Sequence, residues 1–225
     1  MKIVISLGGS LIVPNEIDYN FLKNFKKSLA KIKKDNKVII VTGGGSIARK
    51  YIEALRKDKL SEERCSLIGI KVTKLNAMFL SNFLDENKTI PDSLEEVKKH
   101  LKKSNVVVCG ALGYHPDMTS DGDSAMIARY LHADIFINMT NVKGLFDKDP
   151  RKFKNAKFIS EISFSDFMKI SNKIKYRAGQ HFVLDQSAAK IINRYKVKTA
   201  ILQGIENLEK AISGKRFIGT IIRWV

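Results

Sequence analysis

The sequence predicts a three-layer α/β/α sandwich with a mostly parallel central sheet, and three observations lead there. Short β-branched runs alternate with helical patterns nearly throughout, as in sheets whose strands are joined by covering helices. Three of the strand candidates end in glycine- or hydroxyl-rich turns that open helical patterns, the usual place for a ligand crevice in such sheets. Finally, no repeat, low-complexity tract or Pro/Gly/Ser-rich linker divides the 225 residues, so a single domain spanning 1–225 is expected.

The first strand is Ile3–Leu7, followed by a helical pattern carried by Phe21, Leu22, Phe25, Leu29 and Ile32, with Asp18 as its N-cap. Val38–Thr42 is the second strand, and the glycines after it open a helix that carries Arg49. A long helix is expected from about Glu62 to Phe83, with Leu67, Ile70, Leu75, Met78 and Phe79 turned toward the core. Leu94, Val97 and Leu101 mark the next helix, Val106–Cys109 the third strand, and Ile127 and Leu131 another helix. Strands Ile135–Met139, Thr199–Leu202 and Ile218–Ile222 complete the sheet, with a helix through Ala188, Ile191 and Ile192 between the first two. Residues 141–157, broken by Gly144 and Asp149-Pro150, read as a mobile surface loop.

Composition narrows the function classes. The N-terminus carries no targeting pattern, and no apolar run approaches the roughly 20 residues that span a bilayer. Cys65 and Cys109 are too few for a disulfide framework or a zinc site, which points to buried thiols in a reducing, cytoplasmic setting. Lys and Arg total 40 against 23 Asp and Glu, a net charge of +17 that favours anionic ligands. The lysines are dispersed along helices and are not interleaved with aromatics, which argues against a nucleic-acid footprint.

The chemistry concentrates at the three turns. Gly8-Gly9-Ser10 follows the first strand, where the missing Cβ lets a phosphate approach the main chain. Gly43-Gly44-Gly45-Ser46 follows the second, placing Arg49 about one turn inside a helix whose N-terminus attracts anions. The third turn, 110–121, contains Tyr114, His115, Pro116, Asp117, Met118, Thr119, Ser120 and Asp121, with Asp121 a candidate N-cap as well as a candidate site residue. No P-loop, G-x-G-x-x-G, H-E-x-x-H or G-x-S-x-G motif occurs, and no residue set is assigned as metal ligands.

Leu7-Gly8-Gly9-Ser10, the block from Val41 through Gly43-Gly44-Gly45 to Arg49 and Ile52, and Thr140-Asn141-Val142-Lys143-Gly144-Leu145-Phe146 followed by Asp149-Pro150 resemble the amino-acid kinases. The finer resemblance is to archaeal-type uridylate (UMP) kinases, through Leu75-Asn76-Ala77-Met78, the His115-Pro116 loop ending in Thr119-Ser120-Asp121, and Asp185 with Ala188-Ala189-Lys190. That resemblance implies transfer of the γ-phosphate of Mg²⁺-bound ATP to UMP, giving UDP and ADP. It implies Gly9, Ser10, Gly45, Arg49, Thr140, Asn141, Phe146 and Asp149 around ATP, and Gly44, Ser66 and residues 114–120 around UMP. Arg49, Asp121 and Asp185 would be catalytic, the two carboxylates lying beside the phosphates. An acceptor lobe of about residues 1–134, an ATP lobe of about 135–225, and a homo-oligomer, a hexamer built as a trimer of dimers, are implied too. The chain departs from the family pattern at Ser6, Ser66, Lys143, Phe146 and Gln180-His181-Phe182. Two alternatives share the scaffold: a kinase for another small phosphate such as isopentenyl phosphate, or a non-catalytic nucleotide- or oxoanion-binding protein.

Overall fold

A computed structural model describes residues 1–116, 118–148, 150, 153–172 and 184–224. Seven strands form one sheet in the order β3-β2-β1-β4-β8-β9-β7, and two more form a small separate pair. They are β1 (Lys2–Leu7), β2 (Lys37–Thr42), β3 (Val106–Cys109), β4 (Ile135–Met139), β5 (Leu145–Phe146), β6 (Phe158–Ile159), β7 (Glu161–Ser163), β8 (Thr199–Leu202) and β9 (Gly219–Arg223). All neighbouring pairs in the large sheet are parallel except β8 and β9. The mostly parallel sandwich expected from sequence is what forms.

Helices cover both faces because successive side chains along a strand point to opposite sides. Val4 of β1 enters a core layer shared with α5 (Leu94–Lys103), α6 (Ser120–Tyr130), α7 (Phe164–Ser171) and α8 (Gln186–Tyr195). Its neighbours Ile3, Ile5 and Leu7 enter the opposite layer, against α1 (Gly9–Ile12), α2 (Tyr19–Ile32), α4 (Glu62–Leu84) and α9 (Ile205–Ile212). The helix α3 (Gly45–Lys57) packs on α4 through Ala48, Ile52, Cys65 and Val72. Asp18 caps α2 as expected, its carboxylate accepting from the Phe21 N–H at 2.9 Å. Both cysteines are free and buried. None of the described helices is long and apolar enough to cross a membrane.

Two expectations are corrected. On α4, Leu67, Leu75 and Met78 are 44 %, 53 % and 50 % exposed, while Cys65, Val72, Asn76, Ala77 and Leu80 face inward. The helix carries apolar residues on two faces, and only one of them meets the sheet. The segment 141–157 is also not simply a loop: Leu145 and Phe146 pair antiparallel with Ile159 and Phe158, and the Leu145 N–H donates to Thr220 Oγ1 at 2.8 Å.

Candidate active site

β1 and β2 are parallel neighbours, so their following turns meet at one end of the sheet. They meet backbone to backbone. A Cβ added at Gly9 would stand 2.3 Å from the Gly45 nitrogen and 2.5 Å from the Gly43 oxygen, and Gly45 itself has φ +66°. The glycines at 9 and 45 therefore have a packing cause, close approach plus a left-handed conformation, apart from any ligand. Side chains fix the pair from the layer that holds α1 and α4. Asn76 of α4 donates to the Gly43 carbonyl at 2.7 Å, Thr42 Oγ1 to the Thr73 carbonyl at 2.8 Å, and Ser46 Oγ to the Val13 carbonyl at 2.9 Å.

The first N–H groups of α3 have no intrahelical acceptor and carry the positive end of its dipole. Arg49, one turn in, is half-buried; burial lowers its pKa and Glu53 partly restores it. Across the cleft stands the start of α6. Thr119, and not Asp121, is its N-cap: Thr119 Oγ1 accepts from the Asp121 N–H at 3.2 Å. The carboxylate of Asp121 is thereby released for another contact, and Ser6 Oγ donates to its Oδ1 at 2.7 Å across 115 residues of sequence. Burial and the neighbouring Asp185 push Asp121 up to about 7, against the Ser6 hydrogen bond.

Asp185 is 2 % exposed and caps α8, accepting from the Ala188 N–H at 2.6 Å. Its other oxygen accepts from the Thr119 N–H at 2.8 Å and from Thr119 Oγ1 at 2.5 Å, so one carboxylate ties α6 to α8. Burial raises its pKa, and these hydrogen bonds oppose the rise.

A pocket at these strand ends is lined by Gly44, Gly45, Arg49, Ser66, Met118, Thr119, Ser120, Asp121 and Asp185, all anticipated from sequence. It is lined as well by Gly113 of the third turn, and by Thr73, Ala111 and Asp123, which sequence reading did not single out. Of these, Asp123 is visible in hindsight as a second acid after Thr119-Ser120-Asp121. The remaining expected residues lie outside the pocket wall. Gly9 is packed beneath Gly45, Ser10 is half-buried on α1, and Tyr114, His115 and Pro116 are exposed on the loop before α6. Thr140 follows β4, its N–H donating to the Leu202 carbonyl at 3.0 Å; Asn141 is exposed; Phe146 stacks edge-on with Phe158 at 5.5 Å. Asp117, Asp149 and residues 180–182 lie outside the described residues.

The arrangement suits an anionic ligand held between a cationic helix start and a hydrogen-bonded acidic wall. Comparison with known proteins agrees in kind. Uridylate kinase of Thermococcus kodakarensis is 38% identical over 229 residues, covering 99% of each chain. The crystal structure of uridylate kinase from Archaeoglobus fulgidus superposes with a TM-score of 0.85 at 38% identity, covering 99% of this chain and 100% of that one. A UMP kinase structure from Ureaplasma parvum, 22% identical and covering 99% of this chain and 98% of its own, has the same fold at a TM-score of 0.81. The sequence profile of the Amino acid kinase family matches residues 1–203, and with these full-length relatives it shows that the chain belongs to that family.

Proposed function

We propose that this chain transfers the γ-phosphate of ATP to UMP, giving UDP and ADP, as a cytoplasmic enzyme of pyrimidine nucleotide synthesis. The observation that carries the reading is the pocket where Gly44, Gly45 and Arg49 face Thr119, Ser120, Asp121 and Asp185. Relatives named uridylate kinase, matched over nearly their whole length, support the choice of acceptor.

In this reading the nucleophile is an acceptor phosphate oxygen, already ionised at neutral pH, so no general base is needed. The chain holds donor and acceptor in line and offsets the charge that develops between them. Arg49 and the α3 N–H groups serve the phosphates, with Gly9 and Ser10 behind them and Thr140, Asn141, Phe146 and Asp149 on the adenine-nucleotide side. Ser66 and the 114–120 segment surround UMP. Asp185 positions Thr119 and Ser120, and Asp121, held by Ser6, borders the transfer path. Residues of about 1–134 thus form the acceptor lobe and about 135–225 the ATP lobe. Mg²⁺ offsets charge on the triphosphate when bound.

The exposed face of α4, with Ile68, Leu75 and Met78, and Tyr51 of α3 at 56 % exposure support self-association, read here as dimers assembling into a hexamer. The test of function is a coupled ADP-release assay with UMP, CMP, uridine and isopentenyl phosphate. Turnover with UMP and none with uridine or isopentenyl phosphate is expected; ADP release only with isopentenyl phosphate, or with no acceptor, would refute the reading.

A further inference from the structure

The mechanism above leaves one buried group of the pocket without a task. Asp123, two residues beyond Asp121 on α6, is 2 % exposed and lines the pocket. Its carboxyl accepts a hydrogen bond from the Leu112 N–H, while Oδ1 has no hydrogen-bond partner among the described residues. A buried polar atom without a partner is costly, and a fold that keeps one beside an open pocket has a ligand contact to offer.

The surrounding charges decide what kind. Asp121 from the same helix and Asp185 from the start of α8 line the same pocket, with Arg49 of α3 as its cation. Lys74 of α4 is close enough to interact but is paired with Asp92 at 2.8 Å. Cys109 of β3 is fully buried, and burial together with Asp123 pushes its thiol far up, so it stays neutral. An ionised Asp123 would add a third negative charge to a pocket that must receive a phosphate. A neutral carboxyl instead presents an O–H, as buried acids do where they serve as donors to developing or bound anions.

Resting on the UMP reading, we propose that Asp123 is a further binding residue of the acceptor pocket, its free oxygen carrying a proton and donating it in a hydrogen bond to the acceptor phosphate. Burial pushes its carboxyl up to about 7, Asp185 adds to the rise, and Leu112 and Lys74 oppose it. The neutral form is therefore well populated near neutrality, and an arriving dianion favours it further. Binding then takes up a proton. Affinity for UMP falls as pH rises above about 7, by up to about tenfold per pH unit for each proton taken up. Asp121, which also titrates at about 7, contributes in the same direction, so the diagnostic quantity is the difference between the wild type and an Asp123 variant.

The experiment is calorimetric titration of UMP, and separately of uridine, into the full chain between pH 6 and pH 8.5, with Asp123→Asn and Asp123→Leu beside the wild type. The amide keeps a donor and cannot titrate. Asp123→Asn is expected to flatten the pH dependence by up to about tenfold per pH unit above pH 7 and to bind UMP more tightly than wild type at pH 8.5. Asp123→Leu should lose about tenfold in UMP affinity at pH 6, with uridine binding unchanged in both variants. Equal pH slopes in wild type and Asp123→Asn overturn the proposal, as do equal losses for UMP and uridine, which would move the contact to the nucleoside. UDP formation is followed in parallel. Normal UDP formation with unaltered slopes refutes this inference alone, whereas a wild type that neither binds nor phosphorylates UMP refutes the functional reading and this inference with it. Should Asp123→Leu fail to fold, proton uptake on UMP binding at pH 7.5 is compared between wild type and Asp123→Asn in buffers of different ionisation enthalpy: a smaller uptake in Asp123→Asn supports the proposal, and equal uptake overturns it.

Discussion

Replacing Asp123 by asparagine should make the unliganded protein more stable above about pH 4, by an amount that grows up to about pH 7. The side chain is 2 % exposed, and its carboxyl titrates at about 7 where an unfolded aspartate titrates at 3.8. A folded-state value above the unfolded one means that the ionised form is penalised by folding. The penalty is absent below about pH 4, grows as pH rises, and is complete above about pH 7. At 1.36 kcal/mol per pH unit it reaches at most about 4 kcal/mol. Asparagine keeps the acceptor for the Leu112 N–H and places an amide where Oδ1 has no partner, so no hydrogen bond is lost in exchange. For a chain of this length the gain corresponds to a rise in Tm on the order of 10 °C at pH 8, shrinking toward zero near pH 4. Thermal unfolding followed by circular dichroism at fixed protein concentration, in steps from pH 4.5 to pH 8.5, measures it. A gain that is the same at every pH, or no gain at pH 8, would refute the electrostatic reasoning. The stabilised variant would then illustrate a group kept for binding at a cost in stability.

Three other outcomes follow from the same contacts. Gly9→Ala forces a Cβ into the backbone of Gly43 and Gly45, so chemical denaturation should show a loss of about 1–3 kcal/mol, with weaker ATP binding because the two turns must separate. Ser6→Ala removes the donor to Asp121, so the pKa of that carboxyl should move further up and the limb of the pH–rate profile that it sets near pH 7 should shift to higher pH; an unmoved profile would deny Asp121 a place beside the transfer path. Asp185→Ala strips the acceptor from Thr119 and Ala188, and should cost about 2–4 kcal/mol in unfolding free energy while lowering turnover through the displaced Thr119-Ser120 segment.

What could be read from the residues was governed by periodicity and by short-range chemistry. Three strands, Val106–Cys109, Ile135–Met139 and Thr199–Leu202, appear with the expected bounds because apolar β-branched runs between turns leave little choice. The pairs β5 and β6, two residues each, and the three-residue β7 are too short to carry a period, and only tertiary pairing creates them. The orientation of α4 was misread for a different reason. Both of its faces are apolar, and periodicity reports that a face is apolar without saying what covers it. At the site, Gly45 and Arg49 were legible because a glycine turn and the helix it opens are contiguous. The bond between Ser6 and Asp121 spans 115 residues and has no local signal, so the sequence shows Ser6 only as a departure from the family pattern and not as a partner. Thr119 took the cap that Asp121 was also suited for, which only the folded geometry decides.

On the proposed function, the helix start at Gly44, Gly45 and Arg49 stabilises a phosphoryl group passing from ATP to UMP. Measuring UDP formed from labelled ATP and UMP by wild type and by Arg49→Ala tests it most directly. Loss of the guanidinium should lower kcat by a factor on the order of 100, with the variant still folded. Equal kcat in the two proteins would contradict the account.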